Sequence, residues 1–230
     1  GAGNIQPSNR EDTLRKITNY VNPDIFMGCE MNNPSGADLI LNNVLNVGTS
    51  KFKRSQFVSN ASGDILNNIF YYNSDKVTLY SQSEIETGQS RHISEYIVYA
   101  NDPNLVINKD TTWINFYMLH LKAGTTFSLA RQEQVDSLIS HINKQSYGRN
   151  NNIVGGDFNI YGSSEAEYTN LTTGGIYPFS DPMGTTWVRN DLTDAALYTQ
   201  STRAFGDTPI ECGSDGGMDD RFDMILMSDT

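Results

Sequence analysis

The chain has 230 residues, of which 37% are hydrophobic, so it is long enough for one domain with a sizeable core and too apolar for a disordered protein. Its 27 acidic residues outnumber its 16 basic ones, and the net charge of −11 argues against a general nucleic-acid coat, which needs Lys and Arg to neutralise phosphates. No run of about 18 apolar residues is present to span a membrane, and two cysteines exclude a scaffold built on disulfides.

Helical and extended patterns alternate in the first part of the chain. Ser8 and Glu11 have the spacing of a capping box, and apolar residues recur at helical intervals after them, which predicts a helix over 10–21. Pro23 cannot continue that helix. The apolar segment 24–30 is predicted to be a short buried strand that ends at Glu30. Residues 37–47 are predicted to be helical again.

Strands dominate the middle of the predicted structure, and helices return after it. Four segments dense in Ile, Val, Tyr and Phe are predicted strands: 65–72, 77–82, 92–99 and 113–121. A helix follows over 128–144, then a strand that closes on Asp157, a short helix from a Ser163 cap to about residue 171, and a last strand over 221–227. No linker divides the chain, so we expect one domain over 1–230, with sheets covered by helices.

Two polar residues stand at or near the ends of apolar strands. Glu30 offers a carboxylate of the kind that holds Mg²⁺, although an acid that marks a strand's exit to solvent gives the same pattern. His120 places an imidazole in an apolar strand, where it can stabilise negative charge or give a proton to a leaving oxygen. A core histidine that is satisfied by a neighbour is the alternative. His92 and His141 are predicted to lie at the surface.

The last two candidate segments also bring acids to strand ends. Asp157 and Asn159 lie two residues apart and point the same way in extended geometry, so together they can orient a water and hold an oxyanion. An ordinary Asx turn is the alternative. Asp223 lies in the final strand, where a buried Asp beside a His would fix the imidazole tautomer. A charge pair at a strand edge is the alternative for Asp223.

Taken in order, these segments resemble the endonuclease/exonuclease/phosphatase superfamily, which has the DNase I-like fold. Four motifs in register over about residues 9–228 support the resemblance: Pro-Asp-Ile at 23–25 with Glu30, His-Leu-Lys at 120–122, Gly-Asp-Phe-Asn at 156–159 and Arg-Phe-Asp-Met-Ile at 221–225. The resemblance implies an α/β, four-layer sandwich of two packed, mostly antiparallel β-sheets flanked by helices. The family's first strand with its Asn and its terminal Ser-Asp-His are not recognised in the sequence. We therefore expect a domain that is truncated at both ends and lacks terminal strands. A degenerate, inactive relative of the family is the alternative.

The resemblance also implies roles for individual residues. Glu30 corresponds to the metal ligand, and Asp157 to the residue that orients or activates the attacking water. Asn159 would bind the phosphate or the developing oxyanion, and His120 would hold a phosphate oxygen. Asp223 would orient the family's last histidine.

Two further residues are implied as substrate-binding. Asn68 would support His120, and Arg91 would contact a phosphate. The implied activity is hydrolysis of a phosphodiester or phosphomonoester by in-line attack of water, with Mg²⁺, or alternatively Mn²⁺ or Ca²⁺, as the cofactor.

The sequence does not decide the class of the substrate. A nuclease is the leading expectation. The alternatives are a phosphodiesterase or phosphatase for an inositol phosphate or a phospholipid head group, and a non-catalytic binding domain on the same fold. A basic stripe beside the acids would favour a nuclease, and a shallow apolar rim would favour a lipid phosphodiesterase. We expect a monomer that is secreted or at the cell surface. The redox state of Cys29 and Cys212 stays open.

Overall fold

The structure is a computed structural model that describes residues 9–60, 63–108, 111–145, 151–184, 186–199 and 217–228. Its strands are β1 (Ile25–Met31), β2 (Phe52–Arg54), β3 (Asn67–Asn73), β4 (Val77–Ile85), β5 (Ile93–Ala100), β6 (Trp113–His120), β7 (Asn152–Asp157), β8 (Phe179–Ser180) and β9 (Asp223–Ser228). Its α-helices are α1 (Arg10–Val21), α2 (Pro34–Ile40), α3 (Pro103–Asn108), α4 (Ser128–Lys144) and α5 (Ala166–Thr173). None of the helices in these ranges is long and apolar enough to cross a bilayer.

The strands form two sheets that pack face to face. The smaller sheet has the order β1-β3-β2 and the larger one the order β4-β5-β6-β7-β9-β8. Neighbouring strands are antiparallel except β6 and β7, which run parallel and are joined through α4. A parallel pair needs such a crossover, and it leaves the carboxyl ends of β6 and β7 side by side at the same end of the larger sheet.

Three apolar clusters fill the spaces between the layers. Aromatic side chains pack between the sheets, where the rings of Phe70 and Tyr96 stack with their centroids 4.6 Å apart. A second cluster joins the outer face of the larger sheet to α4 and α5, and a third joins the smaller sheet to α1 and α2. The layers are therefore helix, sheet, sheet and helix, and the predicted four-layer sandwich is confirmed.

The predicted helices and main strands are present, with corrections at their ends. The N-cap of α1 is Asn9, which has φ 63° and makes no capping bond through its side chain, and Ser8 lies outside the described residues. The second helix begins at Pro34, three residues earlier than predicted, because the Asn33 side chain accepts a bond from Gly36 N and caps it. It continues as a π-helical turn over Leu41–Leu45.

The predicted Ser163 cap is wrong. Helix α5 begins at Ala166, and its N-cap is Glu165. The Ser163 hydroxyl instead donates to Trp187 O and accepts from Trp187 N, at 2.9 and 3.0 Å. The local sequence does not distinguish a serine that caps a helix from one that hydrogen-bonds to the backbone of another loop. The short strands β2 and β8 and helix α3 were not predicted.

Candidate active site

Strand pairing brings three of the predicted residues to the same end of the larger sheet. His120 at the end of β6 is in register with Asp157 at the end of β7, and Asp157 is in register with Asp223 at the start of β9. His120 Nε2 lies 3.4 Å from Asp157 Oδ2. Glu30 belongs to β1 of the smaller sheet, and its neighbour Cys29 contacts β6 through a bond from Sγ to Leu119 O at 3.4 Å. The negative charge of Glu30 raises the pKa of both Asp157 and Asp223.

The backbone at this end of the sandwich takes conformations that L-residues seldom adopt. Glu30 has φ 60° and Asn159 has φ 49°, while Gly156 between them in the sandwich has φ 137°. A Cβ on Gly156 would lie 2.0 Å from the carbonyl oxygen of Leu119, so only glycine fits this close approach of β7 to β6. Positive φ at non-glycine residues is concentrated at functional sites in many proteins, where neighbouring structure holds the strain.

Asp157 and Asn159 are linked through the backbone. Asn159 N donates to Asp157 Oδ1 at 3.0 Å, and Asn159 Nδ2 donates to Leu121 O at 3.1 Å. Burial, together with the nearby charges of Asp223 and Glu30, raises the pKa of Asp157 to about 7, although the bond from Asn159 N opposes the shift. The segment is therefore an Asx-type turn and also a site for a carboxyl group poised near neutral pH.

His120 is buried, with 3% of its surface exposed. Burial and the positive charge of Arg91 lower the pKa of His120 to about 3, although Asp64 opposes the shift. The imidazole is therefore neutral at pH 7 and acts through an N–H donor rather than as an imidazolium. Its Nδ1 is buried and has no hydrogen-bond partner among the described residues.

The two residues predicted to bind substrate make structural contacts. Asn68 Nδ2 donates to Met118 O, two residues before His120 in β6, and to Ser94 Oγ. No described hydrogen bond joins Asn68 to the His120 side chain, and the support of His120 by Asn68 stays a prediction. The Arg91 guanidinium is buried against Asp64 and a backbone carbonyl oxygen. A phosphate contact for Arg91 stays a prediction.

The last strand separates its two charged residues. Arg221 is buried and makes a two-pronged ion pair with Asp181, at 2.8 and 2.9 Å. Asp223 is exposed at the end of the sheet, where its N–H donates to Thr199 Oγ1. Partial desolvation and the charge of Glu30 raise the pKa of Asp223.

The prediction that His92 lies at the surface is wrong, and His141 is half-buried. The His92 side chain is 8% exposed, and its Nε2 lies 3.2 Å from Glu86 Oε2. His141 Nε2 lies 3.1 Å from the buried carboxyl of Glu95. A polar side chain at a strand start or on a helix is not necessarily exposed, because a hydrogen-bond partner can offset the cost of burying it.

The acids of the site have the chemistry of a divalent-cation ligand set. Glu30, Asp157 and Asp223 bring negative charges together, and a bound cation would neutralise them. Over the described ranges, no three His, Cys, Asp or Glu side chains are close enough to hold a metal alone. Mg²⁺ needs only one or two protein carboxylates and completes its shell with water and substrate oxygens, so these acids are the residues that would hold such a cation.

Cys29 is not part of this ligand set. Burial, together with the surrounding carboxylates, raises the pKa of its thiol to about 12, and its Sγ donates to Leu119 O at 3.4 Å. The thiol is therefore neutral, as expected for a packed structural cysteine. Cys212 lies outside the described residues.

An apolar groove opens beside Glu30. It has a volume of about 760 Å³ and lies between α1, α2 and the end of β1. Leu14, Ile17, Leu39 and Ile40 line it, and Arg10 is the only basic side chain among its described lining residues. The groove therefore has an apolar rim, which the sequence could not show, and the described residues that line it form no basic stripe.

Asp64 is the residue near the site that the sequence analysis missed. Its Oδ2 lies 3.0 Å from Arg91 Nε, and its charge acts on His120. An acid between a glycine and an apolar strand is the only local signal, and that pattern is common in turns.

Solved structures provide the comparison that decides the fold. The human Nocturnin catalytic domain with bound sulfate superposes with a TM-score of 0.63 at 14% identity, covering 98% of this chain and 77% of that one. D. rerio TDP2 complexed with a single-strand DNA product gives 0.63 at 17% identity, covering 98% and 78%. A Bacteroides thetaiotaomicron protein of the endonuclease/exonuclease/phosphatase family gives 0.63 at 15% identity, covering 98% and 80%.

The chain has the endonuclease/exonuclease/phosphatase fold. The mannosyl-6-phosphatase of Bacteroides thetaiotaomicron VPI-5482 shares it, with a TM-score of 0.60 at 14% identity over 98% of this chain and 82% of that one. No sequence-family model and no curated protein matches the chain. The structural neighbours with this fold include nucleases and phosphatases, which are hydrolytic phosphoesterases.

Proposed function

We propose that the protein is a metal-dependent hydrolase of phosphate esters. One observation carries the proposal: strand pairing brings His120, Asp157 and Asp223 together at one end of the larger sheet, where Asn159 N donates to Asp157. The charge of Glu30 acts on both of these aspartates. Carboxylates beside a neutral histidine and an amide are the groups that phosphoryl transfer to water requires. The shared fold supports the reaction class.

The residues divide the work of the reaction. Glu30, with Asp223, would hold a divalent cation, which would polarise a phosphoryl oxygen when bound. Asp157 accepts a proton from the attacking water, a role suited to a carboxyl group with a pKa near neutrality. His120 donates an N–H to a phosphoryl oxygen as a neutral imidazole. Asn159 stabilises the developing negative charge through the amide N–H that Leu121 O does not use.

The first activity to test is cleavage of nucleic acid. D. rerio TDP2, which has this fold, has been solved in complex with a single-strand DNA product, and this supports a phosphodiester substrate. The net charge of −11 disfavours long duplex substrates, because an extended phosphate backbone needs several basic contacts. We therefore propose a short or single-stranded phosphodiester substrate for the nuclease activity.

The apolar groove supports a second candidate, a phosphodiesterase for a substrate with an apolar chain. The groove touches Glu30, so a phosphate at the acids would place one ester substituent among Leu14, Ile17 and Leu39. Its volume is within the range of about 300–1,000 Å³ that small-molecule sites occupy. A phospholipid-like diester fits this lining better than a second phosphate does.

The test compares substrates in the presence of Mg²⁺. The protein is given a fluorescent single-stranded oligonucleotide, and separately 4-nitrophenyl methyl phosphate and 4-nitrophenyl octyl phosphate. Hydrolysis that disappears in Asp157→Asn supports the proposed reaction, and silence of the folded protein on every substrate contradicts it. A preference for the octyl ester that is lost in Leu39→Glu, and kept in the exposed control Leu129→Glu, selects the second candidate.

A further inference from the structure

The turn that follows β6, over residues 121–124, has its backbone groups hydrogen-bonded to side chains from several elements. Two arginines hold its carbonyl groups: Arg91 donates to Leu121 O, and Arg131 donates to Lys122 O and Gly124 O. Gln134 Oε1 accepts from Lys122 N, and Tyr161 OH accepts from Gly124 N. A turn whose polar groups are fixed in this way keeps one geometry without substrate.

Arg91 is the member of this set that lies nearest to the reacting groups. Its Nη1 donates to Leu121 O at 3.0 Å and reaches His120 O at 3.5 Å, and its Nε lies 3.0 Å from Asp64 Oδ2. The side chains of Arg91 and Asp64 are 11% and 19% exposed. The guanidinium is therefore directed at the backbone of β6 and at Asp64, and little of it faces solvent.

The carbonyl group of Leu121 joins this ion pair to the candidate catalytic residues. It accepts from Arg91 Nη1 at 3.0 Å and from Asn159 Nδ2 at 3.1 Å. The backbone N–H of the same residue, in the preceding peptide group, donates to Asp157 O at 2.9 Å. One residue therefore transmits the position of Arg91 to the amide of Asn159 and to the end of β7.

We propose that Asp64 and Arg91 form a positioning pair that holds Leu121 O, and through it the Asn159 amide, in the geometry for attack on the phosphate. The proposal rests on the proposed function. It assigns Arg91 to the support of the site instead of to a phosphate contact. Asp64 keeps the guanidinium aligned, so loss of the Asp64 carboxylate disturbs Asn159 although the positive charge remains.

The test uses Asp64→Asn, Asp64→Glu and Arg91→Lys. Hydrolysis of 4-nitrophenyl methyl phosphate gives kcat and KM. We expect kcat to fall about tenfold in Asp64→Asn and Arg91→Lys with KM changed less than twofold, and Asp64→Glu to recover most of the rate. Asp38 in α2 and Arg54 in β2 form an ion pair at 2.7 Å, which provides the controls Asp38→Asn and Arg54→Lys. These controls should leave both constants unchanged.

A second readout does not depend on activity. In the substrate-free protein, NMR measures the solvent exchange of the Asn159 side-chain amide, which should accelerate at least tenfold in Asp64→Asn and Arg91→Lys and not in the controls. Unchanged exchange in either variant overturns the positioning pair, and so does a rise in KM for Arg91→Lys alone with normal kcat in Asp64→Asn. If the wild type hydrolyses nothing but the exchange responds as expected, the proposed function fails and the positioning pair stands.

Discussion

The carboxyl of Asp157 should cost the folded protein stability at neutral and higher pH. Burial and the charges of Asp223 and Glu30 raise its pKa from 3.8 to about 7. Near pH 4 the folded carboxyl is protonated and the unfolded one is about half ionised, so the group contributes little, and this contribution vanishes at lower pH. As the pH rises from about 4 to 7, the unfolded chain ionises first, so the free energy of unfolding falls. Asp157→Asn removes this penalty.

The magnitude follows from the size of the pKa change. A change from 3.8 to about 7 corresponds to ~4 kcal/mol at about 1.4 kcal/mol per pKa unit. The Asp157 side chain is 24% exposed, and solvent screens part of the repulsion, so we expect about 2 kcal/mol. The bond from Asn159 N to Oδ1 can persist in Asp157→Asn, since an amide oxygen also accepts it.

Urea unfolding, followed by tryptophan fluorescence in EDTA, measures this effect. Asp157→Asn should match the wild type at pH 4 and exceed its free energy of unfolding by about 2 kcal/mol at pH 8. Asp75→Asn, in the exposed turn between β3 and β4, is the matched control and should change little at either pH. Equal differences at both pH values, or a less stable Asp157→Asn at pH 8, would refute the reasoning.

Three further predictions concern stability in urea unfolding. Gly156→Ala should cost at least about 3 kcal/mol, because its Cβ meets a backbone oxygen at 2.0 Å, while Gly48→Ala, at φ 77° in open space, should cost about 1 kcal/mol; equal losses contradict this. Burial raises the pKa of Glu84 to about 7, so Glu84→Gln should be about 1–2 kcal/mol more stable than the wild type at pH 8 and equal to it at pH 4; a constant difference contradicts this. Asp181→Asn leaves buried Arg221 without its anion and should cost about 3 kcal/mol, against no change if the pair is dispensable.

Local sequence patterns identified much of the site because its residues belong to the strands that position them. Asp157 and Asn159 follow an apolar strand, and two glycines before them allow the close approach to β6 that the structure contains. His120 and Asp223 likewise stand at the ends of segments with clear strand composition. The resemblance implies that these residues act in one site, and the register of β6, β7 and β9 brings His120, Asp157 and Asp223 together.

Contacts between distant segments could not be predicted in the same way. Asp64 and Arg91 are 27 residues apart, and Ser163 and Trp187 are 24 apart. The periodicity of a single helix or strand therefore cannot predict either contact. His92 is buried although its ion-pair partner, Glu86, is exposed, and its strand pattern does not show this burial. The apolar groove lies between two helices and a strand end, and its shape depends on how they pack together.

Cation binding by the acids of the site is the most direct test of the account. Titration of the EDTA-treated protein with Mn²⁺, followed by the relaxation of water protons, measures the affinity and the number of sites. The account predicts one site in the wild type that weakens at least tenfold in Glu30→Gln and in Asp223→Asn and is unchanged in the control Asp75→Asn. Equal Mn²⁺ binding by all four proteins, or none by the folded wild type, would contradict a metal-dependent phosphoesterase site at Glu30, Asp157 and Asp223.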